Sequence, residues 1–443
     1  MRYVSTRGRA GSVDFEGALL SGYARDGGLF MPQKIPVLDC ATLKKWSTFS
    51  YPELVKQLCS IFISPELIPK EELNDLIDRA FSRFRHKDVV NLSRLKNGLN
   101  VLELWHGVTY AFKDLSLSCT GQFLQYFLKK KKKHVTILVG TSGDTGSSAI
   151  ESVRAEGNSD EIDEPIKELF ADDDFSRRHN LMSLNSINWS RILVQIAHYF
   201  YAYFRCAPSV DATPLPVVEI VVPTGGGGNL TAGCLAQKMG LPIDLVAVVN
   251  NNDIVHRAIQ HGDLSLSRNL KPTLASAMDI QEPYNMERIF WLFSGSDSNL
   301  VKSLMEDFYT TKTVKLPLEL QKKLSGGLRS YSVSDEEIVR TMRCCWEENH
   351  YLLCPHTAVA VSYHYKHSSC HPSICRCCLA PASPVKFEDA VLKADLTLDI
   401  SPEISMLKDK ETRSCTLKRG DDWAKLLRHQ IEAVTKQRNL TLS

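Results

Sequence analysis

Hydrophobic positions along this chain follow two different patterns. Up to about residue 95, apolar residues recur at helical spacing in Tyr51 to Phe62 and in Lys70 to Phe84, which predicts two amphipathic helices. Beyond that point, short apolar runs alternate with helical patterns, and this order predicts a parallel sheet with helices on its faces. We expect an N-terminal domain at 1–95, a small α/β domain at 96–190 and a large α/β domain at 191–443.

The alternation assigns most of the expected elements. Strands are predicted at 101–104, 135–139, 217–223, 245–249 and 377–380, and helices at 114–129, 145–154, 188–205, 230–239 and 335–349. After Arg154 an acidic, helix-prone stretch follows the predicted helix, with no apolar strand between them. A strand, helix and strand unit takes roughly 30 residues, so the parallel rhythm is interrupted here.

Composition places the chain among globular proteins, since 43% of its 443 residues are hydrophobic and 23% are charged. The formal net charge is +2, from 53 basic and 51 acidic residues, which argues against a protein dedicated to nucleic acid. No apolar segment is long enough to predict a membrane span, and the N-terminus lacks the apolar stretch of a secretory signal. The 13 cysteines, an odd number, favour reduced thiols and a cytoplasmic location.

A cluster of cysteines and histidines suggests a zinc site as one interpretation. Its members are Cys370, Cys375, Cys377, Cys378, His364, His367 and His371. The spacing does not form two ligand pairs, and Cys377 and Cys378 equally fit the start of a buried strand. We therefore expect no bound metal.

A single lysine stands in a mostly apolar loop, Thr109-Tyr-Ala-Phe-Lys113-Asp114, just before a predicted helix. An apolar setting lowers the pKa of a lysine ammonium and frees its lone pair for Schiff-base chemistry, so Lys113 is a candidate for holding an aldehyde cofactor. The alternative is a lysine at a helix terminus whose ammonium reaches water, and Lys113 taken alone favours that alternative.

Glycines connect a predicted strand to a predicted helix at Gly225, Gly226, Gly227, Gly228 and Asn229. Glycines let backbone N–H groups approach an anion, and the helix N-terminus adds a favourable dipole. The spacing matches neither the dinucleotide pattern nor the nucleoside triphosphate pattern, so we expect one small phosphate. The alternative is a structural glycine turn.

Hydroxyl and glycine residues also form a second loop between a strand and a helix, Thr141-Ser142-Gly143-Asp144-Thr145. Its N–H groups and the hydroxyls of Ser142 and Thr145 suit a carboxylate. Helix capping by Asp144 or Thr145 explains the same residues equally well.

Polar side chains gather at the start of the helix predicted at 188–205. Asn188 and Arg191 share a helix face, and together with Asn185 and Ser186 they offer donors that could bind a second phosphate. The alternative is capping by Asn185 or Ser186, with Arg191 as a surface arginine.

Taken together, these motifs resemble the threonine synthase family of pyridoxal-phosphate enzymes, and more narrowly its animal threonine synthase-like phospho-lyase branch. The similarity extends over nearly the whole chain, in Tyr3–Gly8, Ala24–Phe30, His106–Asp114, Thr141–Gly146, Asn185–Arg191, Pro223–Asn229, Met278–Arg288, Pro355–Val359 and Ala382–Phe387. The resemblance implies the α/β fold type II of these enzymes, which is similar to the tryptophan synthase β subunit.

The same resemblance implies the roles of the candidate residues. Lys113, beside Phe112, would hold pyridoxal 5′-phosphate through an imine, and the loop 225–229 would hold its phosphate. Thr141 to Thr145 would face the substrate carboxylate. Asn185, Ser186, Asn188 and Arg191 would lie near the substrate phosphate.

The expected activity is phosphate elimination from O-phosphohomoserine or O-phosphothreonine, giving 2-oxobutyrate, ammonia and phosphate. A true threonine synthase, which adds water to rebuild threonine, is an alternative. A non-catalytic binding protein is another. We expect a monomer or homodimer whose partner is the small phosphorylated amino acid.

Two departures from the family pattern bear on these expectations. Pro381 aligns with a hydroxyl residue that bonds the pyridine nitrogen, so Ser383 is the replacement we expect. At Ala155–Glu156 about forty residues of the family pattern are absent, somewhat more than one strand, helix and strand unit. A splice variant or a gene-model skip explains this, and the loss favours the non-catalytic alternative.

Overall fold

The computed structural model describes residues 1–140, 159–368, 374–399, 402–406 and 420–442, and the structural statements below refer to those ranges. The strands are β1 (Tyr3–Ser5), β2 (Phe30–Pro32), β3 (Asn91–Arg94), β4 (Asn100–Glu103), β5 (Thr136–Leu138), β6 (Leu181–Ser183), β7 (Val218–Pro223), β8 (Ile243–Val249), β9 (Asp263–Ser265), β10 (Thr313–Lys315), β11 (Leu328–Ser332) and β12 (Arg376–Ala380).

The α-helices are α1 (Phe15–Ser21), α2 (Cys40–Trp46), α3 (Tyr51–Phe62), α4 (Lys70–Phe81), α5 (Lys113–Lys131), α6 (Ser159–Ala171), α7 (Asp173–His179), α8 (Trp189–Cys206), α9 (Gly228–Lys238), α10 (Ile254–His261), α11 (Met286–Phe293), α12 (Ser298–Thr311), α13 (Leu318–Gly327), α14 (Asp335–Asn349), α15 (Pro355–His367), α16 (Glu388–Lys393), α17 (Pro402–Ser405) and α18 (Trp423–Leu442). Short 3₁₀ turns lie at Lys96–Gly98, Ser276–Met278 and Pro384–Lys386.

Six strands form the main sheet, in the order β11, β8, β7, β12, β4 and β3. All neighbouring strands are parallel except β3, which closes one edge antiparallel to β4. Every residue of β7 and β12 is buried, as expected for parallel strands covered on both faces. The predicted parallel α/β fold is confirmed.

The central strand β12 comes last along the chain. It pairs with β7 on one side and β4 on the other, so that Cys378 lies opposite both Val221 and Val101. The domain boundary expected near residue 95 falls between β3 and β4. These two strands pair with each other, and both belong to the main sheet. The short apolar run in β4 predicts a strand but does not identify its partner.

A smaller parallel sheet pairs β5 with β6 within the described ranges. The helix predicted at 145–154 and the junction at Ala155–Glu156 lie outside the described residues. The acidic stretch that follows does form helices, α6 and α7.

Helix α8 is surrounded by protein, and every residue in it except Arg205 is buried. It packs against α3, α5 and α9, and Trp189 at its start contacts the rings of Tyr3 and Phe62 at centroid distances of 5.5 and 6.0 Å. A helix that is buried on all sides usually has an apolar surface throughout, so its polar residues need an explanation. Within the ranges described, no helix combines the length and apolarity needed to cross a bilayer.

The cysteine and histidine cluster is used in packing and hydrogen bonding where it is described. Cys375 Sγ donates to the Cys206 carbonyl oxygen at 2.9 Å, and the His367 ring stacks on Tyr363 at 4.1 Å. Cys370 and His371 lie outside the described residues. Among all described residues, including the described members of this cluster, no group of three or more His, Cys, Asp or Glu side chains is placed to hold a metal ion.

We predict that close packing between α8 and α9 makes Gly233→Ala destabilising. A Cβ at Gly233 would lie 2.7 Å from Cε1 of Tyr199 and 3.0 Å from Cδ2 of Leu245, so the core must shift. Overpacking of this kind costs about 1–3 kcal/mol, and the midpoint of denaturant unfolding should fall. Gly121→Ala is the matched control.

Gly121 lies in α5, and no described atom comes within 4 Å of the place that an alanine methyl group would take, so the substitution removes backbone entropy without a clash. Its midpoint should stay equal or rise. A Gly233→Ala midpoint as high as that of the control would contradict the close approach of α8 and α9.

Candidate active site

The carboxyl ends of three adjacent parallel strands place the predicted segments side by side. The loop with Lys113 follows β4, the loop with Ser383 follows β12, and the glycine loop follows β7. Neighbouring strands are about 4.8 Å apart, so the ends of β4 and β7 are separated by roughly 10 Å. The sheet therefore brings together residues that are far apart along the chain.

Backbone hydrogen bonds fix the lysine loop against the segment after β12. The N–H of Phe112 donates to the carbonyl of Pro381 at 2.7 Å, and the N–H of Ser383 donates to the carbonyl of Tyr110 at 3.0 Å. Helix α5 begins at Lys113, whose Nζ lies 5.5 Å from the centroid of the Phe112 ring. The start of α5 is consequently held in position by the segment that follows β12.

Asp114 closes the same loop from inside. Its buried carboxylate accepts hydrogen bonds from the N–H and the hydroxyl of Thr109, both at 2.7 Å. A Cβ at Gly107 would lie 2.4 Å from this carboxylate, so only glycine fits there. The position of Lys113 thus depends on a tight turn that the Asp114 carboxylate stabilises by hydrogen bonds.

Glu103 at the end of β4 anchors the loop from the other side. Its carboxylate accepts hydrogen bonds from Ser93 (2.6 Å), Tyr351 (2.6 Å), His106 (2.8 Å) and Asn91 (3.1 Å). Burial by itself would raise the pKa of Glu103, but these hydrogen bonds outweigh it and lower the pKa to about 2. Sequence reasoning missed this network, because its members are spread over 260 positions of the chain.

The glycine loop leaves the end of helix α9 open. The N-cap of α9 is Gly227, with φ of 77°, and no side chain of the described residues caps the helix. A Cβ at Gly225 would lie 3.1 Å from the Cα of Met278, so the backbone of the 276–278 turn covers the loop closely. An uncapped helix N-terminus of this kind can accept an anion such as a phosphate.

Asn229 follows the loop on the first turn of α9 and is bonded to α8. Its Oδ1 lies 2.7 Å from His198 Nε2 and 2.9 Å from the Tyr199 hydroxyl, which also lies 2.7 Å from the Asn229 carbonyl oxygen. Burial lowers the pKa of His198 to about 4, so its ring is neutral at physiological pH. Sequence reasoning identified Asn229 and missed both partners on α8.

Ser186 meets the glycine loop through Asn285. The Asn285 amide donates to the Ser186 hydroxyl at 3.0 Å and to the Gly226 carbonyl at 3.1 Å. Arg288 in turn donates to Asn285 Oδ1 and to the Ile187 carbonyl, both at 2.6 Å. Sequence reasoning assigned no role to Asn285 and Arg288, although their spacing of three at a helix start repeats that of Asn188 and Arg191.

Asn188 is the N-cap of α8, and its side chain is fully occupied by protein partners. Its Nδ2 donates to the carbonyls of Leu19 (2.8 Å) and Ser183 (3.0 Å), and its Oδ1 accepts from Ser190. The alternative in which Asn185 or Ser186 caps the helix is therefore wrong. Asn185 instead donates to the Gly140 carbonyl at 2.8 Å.

Arg191 is buried, so the alternative of a surface arginine is also wrong. It donates to the Leu184 carbonyl at 2.9 Å, while its Nε has no partner among the described residues. No carboxylate in the described ranges pairs with it, and burial lowers the pKa of Arg191 to about 10. A buried cation without a counter-ion can bind an anion.

The remaining candidates, Thr141, Ser142, Gly143, Asp144 and Thr145, lie outside the described residues. Gly140, the last described residue before them, accepts a hydrogen bond from Asn185 Nδ2 at 2.8 Å.

The Lys113 amine and the N–H groups of the glycine loop lie at one edge of the sheet. They fit pyridoxal 5′-phosphate, because its aldehyde needs an amine and its phosphate needs N–H donors. The fold and the site together define a pyridoxal-phosphate-dependent protein of fold type II. The chain resembles the crystal structure of threonine synthase from yeast (TM-score 0.87, 32% identity, 97% of this chain and 98% of that chain). It also resembles the PLP-bound threonine synthase from Brucella melitensis (TM-score 0.87, 29% identity, 97% and 98%).

Sequence comparison leads to the same family. Residues 2–81 match the family described as threonine synthase N terminus, and residues 357–429 match threonine synthase, C-terminal. The chain is 62% identical to threonine synthase-like 2 of Homo sapiens, covering 99% of this chain and 98% of the relative. It is 34% identical to threonine synthase of Saccharomyces cerevisiae, covering 92% and 94%. The chain belongs to the threonine synthase family.

The human alignment also bears on the expected deletion. It runs over 474 positions, whereas this chain has 443 residues, so at least 31 positions (474 − 443) have no residue here. The length agrees with the loss of about one strand, helix and strand unit. Its proposed location at Ala155–Glu156 stays a prediction.

We predict that Glu103 contributes to stability in a pH-dependent way. Its folded-state pKa of about 2 lies below the ordinary 4.5, so its contribution is complete above pH 4.5 and disappears as the pH falls towards 2. The unfolding midpoint of Glu103→Gln should be well below wild type at pH 7, and the difference should shrink on acidification. Glu347→Gln, on the exposed side of α14, is the control and should follow wild type throughout. A constant difference between Glu103→Gln and wild type would contradict this role.

Proposed function

We propose that this chain is a pyridoxal-phosphate-dependent phospho-lyase. It would convert O-phosphohomoserine or O-phosphothreonine, with one water, into 2-oxobutyrate, ammonia and phosphate. The observation that carries the proposal is Arg191, a buried guanidinium without a carboxylate partner in the described ranges. Arg191 donates to the Leu184 carbonyl, in the segment whose Ser186 is joined through Asn285 to the glycine loop 225–229, which we call the cofactor cradle. A buried, unpaired cation is costly to maintain, and a doubly charged phosphate is a ligand that offsets that cost.

Cofactor binding is assigned to the three loops at the sheet edge. Lys113, with Phe112 beside it, would form the covalent bond, and the N–H groups of Gly225 to Gly228 with Asn229 would hold the phosphate. Ser383 would bond the pyridine nitrogen, since its hydroxyl accepts from the Val385 N–H at 3.4 Å and keeps its own hydrogen for donation. When bound, pyridoxal phosphate supplies the electron sink for removing a proton from the substrate Cα.

Substrate binding is assigned to residues 141–145 and to the polar side chains at the start of α8. Thr141 to Thr145 would bind the carboxylate, and Arg191 with Asn185 and Ser186 would surround the phosphate. Asn188 would act indirectly, because its side chain caps α8. It would stabilise the start of the helix that contains Arg191.

Two residues would carry out the proton transfer and stabilise the developing charge. Lys113 Nζ would take the proton from Cα, and Arg191 would stabilise the charge on the phosphate as it leaves. A β-phosphate can leave once Cα has lost its proton. A γ-phosphate also requires loss of a proton from Cβ and return of a proton to the γ carbon, which Lys113 Nζ would carry. The released enamine takes up water and loses ammonia, which gives the 2-oxo acid. No further reactant is required.

Two other functions have an observation in their favour. The likeness to solved threonine synthases, with TM-scores up to 0.87, favours addition of water to give threonine. The 31 or more positions absent from this chain favour a protein that binds without turnover. A cytoplasmic location and a monomeric or homodimeric state stay predictions.

We expect Lys113→Ala to abolish covalent attachment of the cofactor. Wild-type protein incubated with pyridoxal phosphate and reduced with borohydride should carry the label on the peptide with Lys113, as located by mass spectrometry. Lys386→Ala is the matched control, because Lys386 Nζ donates to the Thr109 carbonyl of the same loop at 2.9 Å. The control should retain the label. A label that persists in Lys113→Ala would overturn the assignment.

The reaction is tested by measuring phosphate, 2-oxobutyrate and threonine after incubation with each substrate. Arg191→Ala should raise KM by at least about tenfold and weaken competition by free phosphate, since hydrogen-bonded charge pairs contribute about 1.5–3 kcal/mol. Arg205→Ala is the control: it is an arginine of the same helix that bonds the carbonyls of Ser47 and Phe49 at 3.1 Å.

Equal amounts of phosphate and 2-oxobutyrate support the lyase. Equal amounts of phosphate and threonine support the synthase. No phosphate release, from protein that carries the cofactor, supports the non-catalytic alternative.

A further inference from the structure

A stripe of polar side chains runs along one face of the buried helix α8. At 100° per residue, Arg191, Gln195 and His198 fall within about 60° of one another. Each keeps a buried polar atom without a hydrogen-bond partner in the described ranges: Nε of Arg191, Oε1 of Gln195 and Nδ1 of His198. Buried polar groups are nearly always paired, so this stripe is not explained by packing.

His198 contacts the cofactor cradle directly. It is fully buried, and a hydrogen bond joins its Nε2 to Asn229 Oδ1 at 2.7 Å. Its low pKa keeps the ring neutral, so one nitrogen donates and the other accepts. An amide oxygen only accepts, hence Nε2 carries the hydrogen, and the lone pair of Nδ1 is left without a partner among the described residues.

The orientation of the Asn229 amide follows from these contacts. With Oδ1 facing Nε2 of His198 and the hydroxyl of Tyr199, the Nδ2 group points away from α8. Asn229 directly follows Gly228, on a helix whose first turn is capped by no side chain in the part of the chain that the structure describes. Its amide hydrogens therefore add to the donors of the cradle, whereas a flipped amide would present an oxygen to an anion.

We propose that His198, assisted by Tyr199, is a positioning residue for the cofactor: it holds Oδ1 of Asn229 and so directs Nδ2 towards an oxygen anion of pyridoxal 5′-phosphate. This role is independent of which substrate the protein uses. It also explains why a polar ring stays in the core, although its Nδ1 has no hydrogen-bond partner among the described residues.

The test measures the affinity of the apoprotein for pyridoxal 5′-phosphate by absorbance titration, with unfolding midpoints measured in parallel. His198→Leu should weaken binding roughly 3- to 10-fold, the effect of one lost hydrogen bond. His198→Gln, whose amide can donate to the same oxygen, should recover most of the loss. Tyr199→Phe removes only a hydroxyl and should weaken binding by a smaller factor, which gives a second measurement should the leucine variant fold poorly.

A double-mutant cycle separates positioning from packing. In an Asn229→Ala background, His198→Leu should have no further effect on cofactor affinity, because the group that it orients is gone. Three results would overturn the proposal: wild-type affinity in folded His198→Leu, a glutamine variant as weak as the leucine variant, or equal losses with and without Asn229.

Discussion

The pairing of β12 between β4 and β7 is the constraint on which the site depends. It sets the lysine loop and the glycine loop two strands apart, and it supplies the Pro381 carbonyl that receives the N–H of Phe112. Without this strand, β4 and β7 have no contact with each other in the sheet. The two halves of a cofactor site are therefore joined by backbone hydrogen bonds rather than by side chains of the site itself.

Buried cations give the region around the cradle a shared electrostatic character. Burial lowers the pKa of both Arg191 and Arg288, and the hydrogen bonds of both go to neutral oxygen atoms. Neutral acceptors leave most of the positive potential in place, whereas a carboxylate partner would cancel it. The protein thus maintains a desolvated positive region where two phosphate groups, one of cofactor and one of substrate, are proposed to bind.

Local chemistry was enough to predict much of this arrangement. Periodicity located α3 and α14 to the residue. The resemblance to the threonine synthase family implied that Lys113 and the glycine loop bind one cofactor. The position of β12 was not predictable, because a short apolar run does not specify partners more than 150 residues away. His198 and Tyr199 were missed for a related reason: their roles depend on α8 being enclosed by α3, α5 and α9, and a single sequence does not reveal that enclosure.

The late position of β12 has a consequence for how the protein is made. During synthesis, β4 and β7 leave the ribosome long before Arg376–Ala380, so the main sheet stays open in its middle until most of the chain has emerged. Native pairing across that gap has a large sequence separation and is slow to form. In the meantime two apolar strand edges are accessible to other chains, which exposes the nascent protein to aggregation. The time between translation of β7 and translation of β12 is therefore the period in which these edges are exposed.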